Sequence, residues 1–233
     1  MVGTIFEGSH IPLRLWFRAI WWMTNQKSGI SALSLQRSLG FGSYSTALSC
    51  LHRLRKATVR PGREPLTGEV EVDETLLGGY EKRTEKPWSS KKVLVMVAAE
   101  IRGRGTGRIR LRRIPDRTSM ELLGFVKDVV APRSMVVTDG LAAYVGLERL
   151  GYGYRPRVPR NGPAEASVLL PRVHRVASLL KRWLMGTHQG KFTLKRLDTY
   201  LDEFTFRFNR RTSPNRGMLF YRLLQQTVRT PPV

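Results

Sequence analysis

The spacing of apolar residues switches from helical to alternating across "TVRPGREPLTG" (58–68), and this switch constrains the fold more than any other feature of the chain. Upstream, "PLRLWFRAIWWMTN" (12–25) places Leu13, Trp16, Phe17, Ile20 and Trp21 at helical spacing behind Pro12. Downstream, "EVEVDETLL" (69–77) and "GRIRLRRI" (107–114) alternate, and "KKVLVMVAAE" (91–100) is a continuous β-rich run. The stretch between them carries two prolines, two glycines and many polar groups, which is the composition of a linker.

The remaining elements follow from the same signals. "SALSLQRSLG" (31–40) reads as a short helix closed by Gly40. "FGS" is a turn whose Ser43 can cap a third helix, "YSTALSCLHRLRKA" (44–57). A short helix, a glycine-containing turn and a basic helix suggest a helix-turn-helix, with His52, Arg53, Arg55 and Lys56 as candidate DNA contacts. "SMELLGFVKDVV" (119–130) is an amphipathic helix, and "SMVVTDG" (134–140) a buried strand ending in a polar turn. "LAAYVGLERLG" (141–151) is a helix closed by glycine, and "YGYRPRVP" (152–159) a strand or an extended arm. The chain is helical from about residue 167. The linking segment "GGYEKRTEKPWSS" (78–90) suits an antiparallel hairpin. Strands, helix, strand, helix and strand in this order make an α/β sheet. The division expected is a helical DNA-binding region at 1–63, a sheet-containing core at 64–192 and a helical extension packing on that core at 193–233.

Charge narrows the partner. Lys and Arg number 40 against 18 Asp and Glu, a net charge of +22, which points to a polyanion, nucleic acid by default, rather than to a membrane surface. Cys50 is the single cysteine, so neither an internal disulfide nor a multi-cysteine zinc site is available, and no zinc is expected. Apolar runs of about eight residues fall short of a membrane span. No signal peptide is evident at the N-terminus, and a cytoplasmic, nucleoid-associated protein is expected.

Three segments carry candidate chemistry. In "VEVDET", alternation puts Glu71 and Asp73 on one face and Val70 and Val72 on the other. A carboxylate in an apolar strand must be paired or bind metal, unless the strand is a sheet edge with a solvated acidic face. Asp139 follows a buried strand, where ligand groups gather in α/β sheets, although a turn aspartate can also simply bond its own backbone. The strand before Asp139 can lie parallel beside the one bearing Asp73, because a helical crossover precedes it. Two such carboxylates suit a divalent cation facing phosphate. His174 opens the helix "VHRVASLLKRW". Lys181 lies two turns further along the same face, with Arg175 and Arg182 as a second basic row.

These residues resemble the DDE transposases of bacterial insertion sequences, specifically the ISXO-like transposase domain. The likeness extends through "TIFEGSHIPLRLWFRAIWWMT", "EVDETLLGG", "VVTDGLAAY", "LLKRWLMGTHQG" and "YLDEFTFRFNRRTSPNRGMLFYRLL". The resemblance implies a ribonuclease H-like mixed sheet flanked by helices, with a small helical region before it and helices after it. It implies metal ligands at Asp73, Asp139 and His174, with Lys181 as the accompanying basic residue and Arg175, Lys181 and Arg182 facing DNA. It implies Mg2+, or Mn2+ given the imidazole at 174, where relatives usually carry Glu. Two divalent ions would serve strand cleavage at the element's ends and transfer to target DNA, on double-stranded DNA and in a homo-oligomer. Relatives usually carry a cysteine-rich zinc ribbon before the "TIF" segment, so the chain reads as shortened at its start. The rival reading is a non-catalytic DNA-binding remnant or a repressor-like derivative, which would not require Asp73 and Asp139.

Overall fold

The computed structural model describes residues 1–60, 62–78, 92–158, 168–189 and 194–232. The expected hairpin connection lies, from residue 79 on, outside the described residues, as does the expected boundary at 192/193. The chain divides into two compact units: Glu64–Arg182 forms one, and Met1–Arg63 with Trp183–Val233 forms the other. No helix among the described residues is long and apolar enough to cross a membrane.

The sheet unit contains β1 (Glu69–Leu77), β2 (Val93–Arg102), β3 (Gly105–Ile114), α4 (Ser119–Val129), β4 (Met135–Thr138), a 3-10 helix (Ala142–Leu150) and β5 (Gly153–Pro156). The strand order is β3-β2-β1-β4-β5. β1 pairs antiparallel with β2, and β2 with β3; β4 runs parallel to both β1 and β5. β1 is therefore the central strand, which removes the solvated-edge reading of its carboxylates. Its alternation is as the sequence required. Val70 and Val72 join Met96, Ala98 and Val136 beneath Leu122, Phe125 and Val126 of α4, while Glu71 faces the opposite side. On that opposite side, Val95, Val97, Ala99 and Val137 are buried. The segment 141–151, expected as an ordinary α-helix, is wound as a 3-10 helix and closed by Gly151 at φ 83°.

The helical unit contains α1 (Leu13–Asn25), α2 (Ala32–Leu39) and α3 (Tyr44–Lys56), together with α6 (Leu194–Phe208) and α7 (Arg216–Thr227). The helix between the two units, α5 (Pro171–His188), spans their division at Trp183. Ser31 and Ser43 cap α2 and α3 by accepting from Ser34 N and Thr46 N, each at 3.1 Å, and Gly40 ends α2 in the left-handed region. In α1, Trp16 and Ile20 enter the core, but Leu13, Phe17 and Trp21 remain 41%, 41% and 51% exposed; helical spacing alone did not tell these two rows apart. The C-terminal helices correct the expected division. Phe206, Leu219 and Leu223 lie in the same core as Trp16, Leu35 and Leu51, so the last segment completes the N-terminal helices.

Two buried ion pairs mark the unit interiors. In the helical unit, Arg55 Nε donates to Glu203 Oε2 at 2.7 Å, both side chains 1% exposed, and the guanidinium lies 4.2 Å from the Tyr200 ring centre. Gly29, at φ +77°, sits against this pair; a Cβ there would come within 3.1 Å of Glu203 Oε1. In the sheet unit, Glu100 on β2 accepts from Arg108 Nη2 at 2.6 Å and from the backbone N–H of Thr67 and Arg108.

Candidate active site

β1 and β4 are adjacent and parallel, with Glu69 opposite Met135 and Glu71 opposite Val137. Asp73 lies four residues along β1 from Glu69, and Asp139 four along from Met135, so the two carboxylates emerge at the same end of neighbouring strands. Asp73 is largely buried, and its carboxyl is pushed up to about 7, mainly by burial and then by the charge of Glu74, with Asp139 adding to it. Its Oδ1 accepts from the backbone N–H of Glu74 at 2.8 Å. Asp139 Oδ1 accepts from Leu141 N–H at 3.1 Å, the local turn bond anticipated as the simpler role for this residue. The turn needs Gly140, which sits at φ +85° where a Cβ would lie 2.6 Å from Val158 Cγ2.

His174 comes to the pair from α5. Its Nε2 lies 3.5 Å from Asp73 Oδ2, buried and without a hydrogen-bond partner. Burial, with Lys181 adding to it, lowers its pKa below the usual histidine value, which keeps the imidazole neutral. The element that fixes this position is Glu71. Its Oε2 accepts from the backbone N–H of Arg172 at 2.7 Å and of Val173 at 3.1 Å, and its Oε1 accepts from Arg172 Nη1 at 3.0 Å. Pro171 opens α5 with no N–H to satisfy, so a fully buried carboxylate from another strand takes the place of a local N-cap. Val173, Val176 and Leu180 of α5 are buried, which turns His174 and Lys181 to one shared face.

Sequence reasoning passed over three neighbours. Glu74 accepts from Arg117 Nε at 2.7 Å, and its carboxyl is raised chiefly by burial. Tyr144 is buried, and burial together with the charges of Glu74, Asp73 and Asp139 holds its hydroxyl un-ionised. The adjacency of Glu74 to Asp73 in "VDET" was the available signal for Glu74. Arg117 and Tyr144 carried none.

The expected DNA contacts on α3 separate. Lys56 is exposed, as are Arg175, Lys181 and Arg182 on α5. Arg55 is not a surface residue: Glu203 binds it in the interior. Arg53 donates to the carbonyls of Ile5 and Glu7 at 3.0 and 2.8 Å. His52 is half-buried beside Tyr200 and pushed down to about 4, first by burial and then by Arg55. The basic face of α3 is in good part an interior face.

Two neighbouring carboxylates, of which Asp139 adds to the raised proton affinity of Asp73, and an imidazole with an unpartnered nitrogen fit a hard divalent ion in chemical type. Among the described residues, however, no three His, Cys, Asp or Glu side chains gather closely enough to hold one metal ion. His174 meets Asp73 without closing a three-ligand set around Asp139.

A mixed five-stranded sheet with helices, its first three strands antiparallel and the next two parallel to the first, is a ribonuclease H-like core. The chain belongs to the family of ISXO2-like transposase domains, whose model matches residues 65–209. A Halobacterium salinarum protein, described as an uncharacterized protein in transposable element ISH50, is 28% identical over 223 residues, covering 88% of this chain and 72% of that protein. Among solved structures, a chain of the simian T-cell lymphotropic virus intasome in complex with PP2A regulatory subunit B56 gamma is similar at TM-score 0.42 and 17% identity, over 82% of this chain and 74% of that one. A chain of the Mos1 strand transfer complex is similar at TM-score 0.34 and 13% identity, over 95% and 77%.

Proposed function

We propose that this chain is an insertion-sequence transposase that cuts and joins DNA strands by phosphoryl transfer, with Asp73 and Asp139 at the reacting centre. The observation that carries the reading is their emergence at one end of two parallel central strands, where burial, with Glu74 and Asp139 adding to it, pushes Asp73 up to about 7. Asp73 and Asp139 would hold a divalent cation, Mg2+ or Mn2+, and loading it would release the proton that Asp73 retains near neutrality. Such an ion supplies Lewis-acid chemistry, withdrawing charge from the phosphate under attack and acidifying the attacking hydroxyl. His174 offers a neutral nitrogen either to that cation or to an ordered water on the phosphate. Lys181 neutralises a neighbouring phosphate from the same face. Arg175 and Arg182, together with Lys56, bind the DNA backbone without reading sequence.

The test is nicking of a labelled duplex carrying the element's own terminal repeat, with each metal supplied separately. The wild type nicks it; Asp73→Asn and Asp139→Asn bind the duplex but do not nick. His174→Ala loses most cleavage, and His174→Glu shifts the preference from Mn2+ toward Mg2+, because oxygen ligands suit the harder ion. A wild type that binds duplex but is inactive with both metals sinks the proposal and leaves the DNA-binding remnant. His174→Ala as active as the parent removes His174 alone from the site.

A further inference from the structure

The helical unit holds a second concentration of charge, opposite in sign and apart from the candidate catalytic residues. A cavity of about 330 Å3 is lined by Arg60, Arg210, Arg222 and Arg229, with Gln225, Gln226 and Thr230 completing its wall. No carboxylate is among its lining residues. Arg210 follows the end of α6 and is held in place. Its guanidinium stacks 4.1 Å from the Phe206 ring centre, and Nη1 donates to the Phe206 carbonyl at 3.2 Å. Its Nε is buried with no hydrogen-bond partner, and so is Gln226 Oε1. Burial, then Arg222 and Arg60, push Arg210 down to about 10, far from where a guanidinium ordinarily stands. Arg222 and Arg229 form no ion pair among the described residues and are exposed at the opening.

A guanidinium does not shed its proton at neutral pH, so the strain remains as repulsion between fixed cations. A cavity rich in donors and poor in acceptors complements a group that only accepts. Planar guanidinium forks match the oxygens of phosphate in geometry as well as charge. Its volume lies at the lower end of small-ligand pockets, roughly 300 Å3 upward, so a phosphate can enter together with part of an attached sugar.

We infer that the Arg60–Arg210–Arg222–Arg229 cavity is a phosphate-binding site that seats a backbone phosphodiester of DNA. This rests on the proposed action on DNA and deepens it. It gives the helical unit a fixed point of attachment built from α6, α7 and the end of the N-terminal segment. The surface of α3 does not offer such a point, since Arg55 and His52 are turned inward. The phosphate chemistry has two sources, free phosphate and nucleic acid, and the experiment separates them.

The full-length chain is titrated with inorganic phosphate at constant ionic strength, followed by the 31P line width and by thermal unfolding. Saturable broadening and a rise in Tm are expected for the wild type. Both are lost in Arg222→Gln/Arg229→Gln, whose exposed positions leave the fold intact, and in Arg210→Gln; both are kept in Arg37→Gln, exposed on α2 and outside the cavity. A short duplex then displaces bound phosphate, and the double variant's DNA affinity falls less steeply with salt, its log–log slope smaller by about one. Absence of saturable phosphate binding in the wild type overturns the site. Phosphate binding that duplex does not displace overturns DNA as the occupant and leaves a free phosphate or nucleotide. Asp73→Asn serves as the separating control. It loses nicking if the proposed chemistry is right and keeps phosphate binding in either case, so each idea fails on its own measurement.

Discussion

The sheet unit and the helical unit each hold like charges together, but of opposite sign. In the first, Asp73, Glu74 and Asp139 crowd one end of the sheet, and burial together with these neighbours raises the Asp73 carboxyl to about 7. In the second, Arg210, Arg222 and Arg60 share a cavity, and burial together with these neighbours lowers the Arg210 guanidinium to about 10. Both units also contain buried acids satisfied by arginine, Glu71 by Arg172 and Glu203 by Arg55, so the fold can neutralise a charge when stability requires it. The two clusters instead leave like charges side by side, at a cost in stability that the proposed binding of metal and phosphate would offset.

The comparison breaks most sharply at Asp73. Asp73→Asn should lower strand cleavage by ~1,000-fold or more and yet make the metal-free protein more stable. A carboxyl whose folded pKa lies above its unfolded value binds more protons in the folded state. Its unfavourable contribution is absent below the ordinary carboxylate range and complete above about 7. Stability of the wild type in EDTA should therefore fall as pH rises from about 4 to about 7. The variant should lose up to about 4 kcal/mol of that slope. Urea unfolding across this range checks it, and equal slopes would mean that the crowding is not felt.

The paired acids should respond in the reverse direction. Glu71→Gln removes the charge that holds Arg172 and weakens two bonds to the start of α5, at a cost of about 3 kcal/mol. Nicking should fall with it, because His174 loses its fixed position. Glu203→Gln should cost a similar ~3 kcal/mol and leave the nicking rate of the folded fraction unchanged. Parallel unfolding and single-turnover assays distinguish the two. The smallest effect belongs to the basic cavity. Arg222→Gln in phosphate-free buffer should be neutral to slightly stabilising, within about 0.5 kcal/mol, and a clear loss of stability would show that Arg222 has a structural partner.

Much of the sheet unit was legible because its signals are local. Alternation in 69–77 gave the facing of Val70, Glu71 and Asp73, and the helix before "VVTDG" gave the parallel neighbour that brings Asp139 to Asp73. The caps at Ser43, Gly40 and Gly151 were equally readable, since each acts within a few residues. What escaped was long-range. Arg55 looked like a DNA contact because its partner, Glu203, lies 148 positions away. The role of Glu71 was left open because its partners are mostly backbone N–H groups, which carry no sequence mark. The arginine cavity joins residues from 60 to 229, and no spacing rule connects them.

Glu71 also bears on how such a site can change over generations. It grips main-chain groups of Arg172 and Val173, not the side chain at 174. Whatever residue occupies 174 is therefore delivered to Asp73 by an anchor indifferent to its identity. A lineage can exchange carboxylate, amide or imidazole there in a single codon step or two without rebuilding the helix. The tolerance ends at Glu71 itself, where one substitution would release the whole turn. The residue at 174 is free to change because its position is held by a grip two residues from Asp73 along the same strand.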